Sequence, residues 1–323
     1  MSLFSYAAAQ GYIRARLSRL LDDAAWSRLL ESGKSVSPAS HQSAVALLGE
    51  VADSGRALVR FLPPGAAELV GWYNRRFEIE NLKTVLRAVH YGLDPSSARA
   101  SLVPLRATGW RWDLLMEAGS ITAVIDRIGE SPYARPLENA MERYQQDRRL
   151  FYLEIALDLF YFQKLVRLIE SQSGKDAADA RRFLGRSIAV QNLLWAYRYR
   201  IYGRMTPEEI INYTLHHAFN AGLDTVRRVA LGSPLDVEAA RMGFRLTPGI
   251  SDVEGLTEIE VLAERERFRY AKAAVRRPLF QLRGALAYLW LLEAEVRDLT
   301  VIAEGKFAGL SSGEIGRRLV RAA

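Results

Sequence analysis

The sequence has no cysteine among its 323 residues. Disulfides, thiolate nucleophiles and cysteine-ligated iron–sulfur or zinc sites are therefore excluded, and a reducing, cytoplasmic location is predicted. Histidine is also scarce. His216 and His217 are neighbours, and because neighbouring side chains on a helix point about 100° apart, they do not predict a metal site.

Long apolar runs are absent as well. The most apolar window, residues 285–292, has eight residues, whereas a membrane-spanning helix needs ~20. The first twenty residues lack a basic stretch ahead of an apolar one, so they do not resemble a secretory signal. We expect neither a membrane span nor export.

The composition is otherwise that of a folded protein with a mild excess of positive charge. Apolar residues make up 49% of the chain, enough to bury a continuous core. The 44 basic and 37 acidic residues give a net charge of +7. This balance favours an acidic partner surface, lipid headgroups or nucleic acid, without choosing among them.

Helical periodicity dominates the sequence. One apolar stripe repeats at intervals of three, four and once seven through Leu137, Met141, Tyr144, Phe151, Ile155, Leu159, Phe162, Val166 and Ile169. This pattern predicts a single helix over about 136–171, ~50 Å long, and with it an elongated body. Because no alternating apolar and polar stretch indicates a strand, the predicted fold class is all-α.

An internal repeat is the most informative feature. An Asn-Leu or Asp-Leu pair stands eleven residues before a glycine at three places: Asn81 before Gly92, Asn192 before Gly203, and Asp298 before Gly309. Glycine adopts a left-handed helix end without steric strain, so each of these glycines is predicted to stop a helix.

A capping residue follows each of the three glycines, at Asp94, Thr206 and Ser311. Its side-chain oxygen accepts from the free amides of a new helix. The repeat favours three helical modules, at 1–104, 105–218 and 219–323. The alternative is that the three places are unrelated helix ends with coincidental spacing.

Two catalytic motifs are rejected, one because it is incomplete and one because of its context. Gly33, Lys34 and Ser35 resemble the end of a phosphate-binding loop, but Arg28 occupies the position of its required first glycine. Residues 309–313 match the hydrolase pattern G-x-S-x-G, but a predicted helix precedes Ser311, where that motif needs a strand. We therefore predict no catalytic residue, no cofactor and no metal.

Residues 195–204 interleave aromatic residues with arginines, as surfaces that bind single-stranded nucleic acid do. On a helix, however, Trp195, Tyr199 and Tyr202 share one face and are equally suited to packing in a core. A helical nucleic-acid-binding protein is therefore one alternative function. An all-helical enzyme with an unrecognised pocket is another.

Three segments, 6–21, 75–92 and 136–165, resemble the C subunit of the V/A-type ATPases, which corresponds to the d subunit of eukaryotic vacuolar ATPases. Residues 192–203 and 293–315 support the resemblance. Each segment alone is an ordinary amphipathic helix. The order of the segments, the threefold repeat and the length carry the resemblance, which spans essentially the whole chain.

The resemblance implies a non-catalytic protein of the central stalk. In that family three modules form a pseudo-threefold funnel that grips the central shaft and sits on the membrane rotor ring, so the chain would be peripheral to the membrane. It would transmit torque between ATP chemistry and proton or sodium movement. Candidate residues for lining the funnel, binding a partner or holding its helices are Glu78, Asn81, Arg87, Asn192, Arg198, Asp298 and Glu304.

Overall fold

The computed structural model describes residues 6–18, 20, 23–31, 40–106, 109–276 and 281–321, with the side chains of 23–25, 27 and 40–43 outside that description. Within these ranges the chain is helical and has no strand, which confirms the all-α prediction. The helices are α1 (Ala7–Leu17), α2 (Asp23–Glu31), α3 (Ser40–Val59), α4 (Pro64–Asn74), α5 (Arg76–Tyr91), α6 (Pro95–Arg99), α7 (Trp112–Met116), α8 (Ile121–Ile128), α9 (Ala134–Asp147), α10 (Phe151–Glu170), α11 (Gly174–Ala180), α12 (Arg186–Ile201), α13 (Pro207–Asn212), α14 (Leu223–Ala230), α15 (Leu235–Arg241), α16 (Asp252–Val275), α17 (Leu282–Phe307) and α18 (Ser312–Arg318). A π-helical turn at Arg181–Gly185 joins α11 to α12.

The single helix predicted over 136–171 is wrong. The chain forms two helices, α9 and α10, separated at Arg148, which adopts a left-handed conformation with φ 54°. Its N–H donates to the carbonyl oxygen of Tyr144 at 2.8 Å and closes α9. No glycine or proline marks this stop, so the apolar stripe continues through it. With α10 only 20 residues long, the argument for an elongated body fails.

The most apolar window lies in the core. Residues 284–291 of α17 are buried on every side, including Tyr288 at 1% exposure, because neighbouring helices surround them. A helix that is apolar all round must be buried in this way. None of the helices in the described ranges combines the length and apolar character needed to cross a membrane.

The helices that carry the repeat, α5, α12 and α17, each pack against a long helix from the next predicted module. α5 contacts α10, α12 contacts α16, and α17 contacts α3. The contacts run from the first module to the second, the second to the third, and the third back to the first. The division at 104 and 218 stays a prediction, since the core is continuous across both positions.

Candidate functional site

The first repeat residue, Asn81, is 1% exposed and holds a distant backbone segment. Its Nδ2 donates to the carbonyl oxygen of Val103 at 2.8 Å, and the Val103 N–H donates to its Oδ1 at 2.8 Å. The carboxamide therefore supplies a hydrogen-bond partner for both the N–H and the C=O of a single buried residue. This pair ties the first half of α5 to the chain beyond α6.

Asn192 forms the same arrangement in the second copy and is 0% exposed. It exchanges hydrogen bonds of 2.9 and 2.7 Å with the backbone of Leu215. Its Nδ2 also donates to the carbonyl oxygen of Ala221 at 2.6 Å.

The third copy uses a carboxylate. Asp298, also 0% exposed, accepts from the N–H of Val320 at 2.8 Å and from that of Arg321 at 3.2 Å. Burial raises the pKa of this carboxyl, whereas the two amides and the Arg321 guanidinium oppose the rise. We call the three pairs, Asn81–Val103, Asn192–Leu215 and Asp298–Val320, the repeat clamps.

The turns between helices are alike in the first and third copies and differ in the second. Gly92 and Gly309 are left-handed, with φ of 62° and 72°. The expectation for Gly203 is wrong, because the left-handed residue is Arg204, at φ 48°. Gly203 serves close packing instead, since a Cβ there would lie 2.8 Å from the Tyr199 carbonyl oxygen.

One extra residue explains this difference. The clamp spans 22 residues in the first and third copies and 23 in the second. In every copy the left-handed residue stands two positions before the capping residue. The residue whose backbone the clamp holds stands nine positions after the capping residue. The insertion therefore lies at the end of α12. All three cap side chains accept from the predicted backbone amides, those of Ser97, Glu209 and Glu314.

Two other repeat residues form ion pairs between helices of different predicted modules. Arg87 contacts Glu154 of α10 at 2.6 Å, and Arg198 contacts Glu260 of α16 at 2.6 Å. Glu304 occupies the corresponding place in the third copy and is exposed.

Glu78, the remaining candidate, lies on α5. Its Oε2 accepts from the Tyr133 hydroxyl at 2.8 Å. Burial raises the pKa of Tyr133, and the neighbouring Glu78 carboxylate adds to the rise.

A cavity of ≈ 930 Å³ opens where the three copies meet. The repeat helices contribute Arg76, Ile79 and Glu80 of α5, Ser187, Gln191 and Leu194 of α12, and Trp290, Glu293 and Arg297 of α17. None of the seven candidate residues lines it. Its charged wall is balanced, with six arginines and six carboxylates.

A network of charged and aromatic side chains joins the first and third copies in this cavity. Glu293 accepts from Arg76 at 2.5 Å and from Arg267 at 2.9 Å. The Tyr73 hydroxyl accepts from Trp290 Nε1 at 2.7 Å and contacts Glu293 at 3.1 Å. Burial raises the pKa of Tyr73 to about 12, with Glu293 adding to the rise and the two arginines opposing it. The network is an interhelical clasp whose charges are paired with each other.

A second buried pair stands at the cavity wall. Lys83, with 8% of its side chain exposed, contacts Asp158 of α10 at 2.5 Å. Burial raises the pKa of Asp158 to about 6, Glu80 and Glu154 add to the rise, and Lys83 opposes it. Sequence periodicity places both residues among polar positions and gives no sign that they meet.

The features behind the alternative functions have structural roles. Trp195, Tyr197 and Tyr199 are at most 9% exposed, and Arg200 donates to the carbonyl oxygens of Val229 and Ser233. Tyr202, expected to share the packing face, is 59% exposed at the end of the helix. One exposed ring does not make the interleaved aromatic and arginine surface that nucleic-acid binding would use.

The two rejected catalytic motifs lie in different settings. Ser311 forms a capping box with Glu314, so its hydroxyl is engaged at a helix start. The segment Gly33, Lys34 and Ser35 lies outside the described residues.

An all-helical body with one clamp repeated three times beside a shared cavity defines a protein built from related helical units. Comparison with known proteins makes the class specific: the chain belongs to the ATP synthase (C/AC39) subunit family, whose family model matches residues 15–318. The resemblance stated from the sequence is thereby confirmed, and by family the chain is part of a rotary ATPase.

Individual relatives agree, and all three described next are C subunits of A-type ATP synthases. That of Methanocaldococcus jannaschii is 25% identical, over 99% of this chain and 87% of its own. That of Methanosphaera stadtmanae is 24% identical, over 85% of this chain and 74% of its own. That of Haloquadratum walsbyi is 24% identical, over 93% of this chain and 88% of its own.

Proposed function

We propose that this chain is the non-catalytic protein of the central stalk that couples the shaft of a rotary ATPase to its membrane rotor ring. The observation that carries the proposal is the cavity, to which all three repeat helices contribute. Three modules closed around an axis would leave such an opening for the end of a shaft. The chain would then be cytoplasmic and peripheral, held at the membrane by the ring.

The contacts between predicted modules support a closed, pseudo-threefold arrangement over a linear one. α17 packs on α3 as α5 packs on α10 and α12 on α16, so each repeat helix has a neighbour from the following module. A closed set of packed helices resists twisting, because rotation of one helix must displace the next. Torque transmission requires this stiffness.

The chemistry of the cavity supports a protein partner over a small substrate. Several of its carboxylates and guanidinium groups pair with each other, as Glu293 does with Arg76 and Arg267, and aromatic rings lie among them. Aromatic residues and arginines are both enriched at protein interfaces. We assign the clamp residues Asn81, Asn192 and Asp298, with Arg87 and Arg198, to holding the helices.

Single-cysteine cross-linking tests the proposal, and the native chain has no cysteine to interfere. Ser187→Cys and Gln191→Cys place a thiol on the cavity wall, whereas Glu130→Cys is an exposed control away from it. In the assembled complex, a maleimide–benzophenone reagent should join the first two variants, but not the control, to a protein of the shaft.

Transport after cross-linking separates a rotor from a stator position. If the chain and the shaft turn together, joining them leaves ATP-driven ion transport unchanged. A cross-link to a static part of the complex, or a transport activity that disappears once the shaft is joined, would contradict the proposal.

A further inference from the structure

Every carboxylate on the wall of the cavity has a cationic partner within 3.1 Å. The pairs are Glu80–Lys83, Asp158–Lys83, Glu260–Arg198, Glu264–Arg267, Glu266–Arg186 and Glu293–Arg76. Two of these cations, Lys83 and Arg198, do not line the cavity themselves. The negative charge of the wall is therefore neutralised partly from outside it.

Two wall arginines are left over, Arg182 and Arg269. Among the described residues, neither has a carboxylate within ion-pair distance, and both side chains are exposed. Asp179, whose pKa Arg182 helps to lower, is buried off the wall and accepts from the N–H of Arg283. The cavity therefore offers net positive charge to an occupant, although arginines and carboxylates are equally numerous on its wall.

Arg182 is held in place by the π-helical turn Arg181–Gly185. The next residue, Phe183, is 0% exposed and packs between the rings of Tyr270 and Trp290, with centroid distances of 4.3 and 4.8 Å. The Arg182 guanidinium carbon lies 4.3 Å from the centroid of the Tyr270 ring. A guanidinium held over an aromatic face keeps N–H donors at its edge for a carboxylate. Turns of this kind are frequent at functional sites.

Arg269 reaches the same cavity from another element. It precedes Tyr270 in α16, so the two arginines approach the cavity from α16 and from the turn before α12. Guanidinium groups bind carboxylates and phosphates with paired hydrogen bonds. Two of them on one wall make a site for an acidic group.

The rest of the wall favours an acidic protein segment over nucleic acid. A nucleic-acid strand carries a negative charge at every nucleotide and is bound by neutralising successive phosphates. Six carboxylates on the same wall oppose such a continuous polyanion. A protein segment can instead place single carboxylates at the two free arginines and other side chains against the paired and aromatic parts of the wall.

We infer that Arg182 and Arg269 are specificity residues of the cavity and bind carboxylates of an acidic segment at the end of the shaft. The inference rests on the proposed function, in which the cavity receives the shaft. It adds the charge of the segment that enters and the two side chains that recognise it.

The test is the double charge reversal Arg182→Glu/Arg269→Glu in the full chain. The matched control is Arg181→Glu/Arg276→Glu, which makes the same change in net charge at two exposed arginines that do not line the cavity. Arg181 belongs to the same π-helical turn as Arg182, and Arg276 follows α16. Binding to the purified shaft proteins is measured at low and at high salt, and thermal unfolding shows that each variant is folded.

At low salt the double reversal should bind the shaft proteins at least ~30-fold more weakly, because like charges placed together in a contact oppose binding. The neutral variant Arg182→Gln/Arg269→Gln should lose about 3- to 10-fold. High salt should narrow both differences, since it screens exposed charges. The control should stay within about 3-fold of the native chain, because it alters only the long-range field.

Two results would overturn the inference. One is a double reversal that binds the shaft proteins as tightly as the native chain or the control does. The other is a double reversal that loses binding only to polyuridine RNA or to vesicles of anionic lipid, which would make the two arginines a polyanion site. A native chain that does not bind the shaft proteins at all would instead overturn the proposed function, so the two failures are distinguishable.

Discussion

Asn192 and Leu215 exchange two hydrogen bonds inside the core, with the carboxamide acting as donor and acceptor to a single residue's backbone. The partner lies 23 residues further along the chain, so the contact is tertiary although it has the geometry of a backbone pair. It recurs with small changes at Asn81 and Asp298.

Replacement of Asn192 by alanine should destabilise the chain by about 2–4 kcal/mol, because a buried N–H and two carbonyl oxygens lose their partners. The matched control is Asn212→Ala, an exposed asparagine in the same predicted module, for which we expect less than ~0.5 kcal/mol. Urea unfolding of both variants checks this. Equal losses would contradict the structural role of the clamp.

Replacing the clamp asparagine by aspartate, or the clamp aspartate by asparagine, should destabilise the fold. In Asn81→Asp a carboxylate would face the Val103 carbonyl oxygen now 2.8 Å from Nδ2, and an uncompensated buried charge would cost about 3 kcal/mol or more. In Asp298→Asn the new amide would meet the Arg321 N–H, donor against donor, at a cost of about 1–3 kcal/mol. Acidification should partly rescue Asn81→Asp, since a protonated carboxyl donates; thermal melts at pH 5 and pH 8 test this.

Arg204→Gly should stabilise the chain by about 0.5–1 kcal/mol, because a non-glycine residue at φ 48° is strained. Arg204→Ala removes the same side chain but keeps the Cβ, so it should give no such gain. The shift in unfolding midpoint distinguishes the two. A larger gain for alanine would mean that the arginine side chain, and not its backbone conformation, is unfavourable.

Asp158 should give the stability a pH dependence between about 4 and 6. Its pKa rises from 3.8 to about 6 on folding, so the folded state binds this proton more tightly. The protonated carboxyl therefore stabilises the fold fully when the pH is below its unfolded-state pKa. This stabilisation is lost as the pH rises through its folded-state pKa. Asp158→Asn should flatten this part of the stability profile, whereas the exposed control Asp126→Asn should keep it.

The sequence predicts the repeat well because the repeat is encoded locally. Asp94, Thr206 and Ser311 act within three residues of themselves, and their side chains identify helix starts without tertiary information. The left-handed residue of the second copy is harder to predict, because Gly203 stands beside Arg204 and is the better candidate by propensity. The cap spacing, longer by one in that copy, is the available signal.

The cavity could not be predicted in the same way. Glu293 meets Arg76 across 217 positions, and neither residue breaks the helical pattern around it. A carboxylate directly after the apolar window 285–292 is the one local sign that a buried charge needs partners. Finding those partners requires knowing that the first and third copies touch.

The two Arg–Glu pairs give the predicted modules a head-to-tail order. The glutamate of each pair stands 44 residues before a repeat position of its own predicted module, Glu154 before Arg198 and Glu260 before Glu304. The second predicted module thus carries both halves of the contact, the glutamate for the module before it and the arginine for the one after. A contact whose two halves lie on different faces of one unit can be repeated from unit to unit without changing either half. The series ends at Glu304, where the third copy has a carboxylate in place of the arginine.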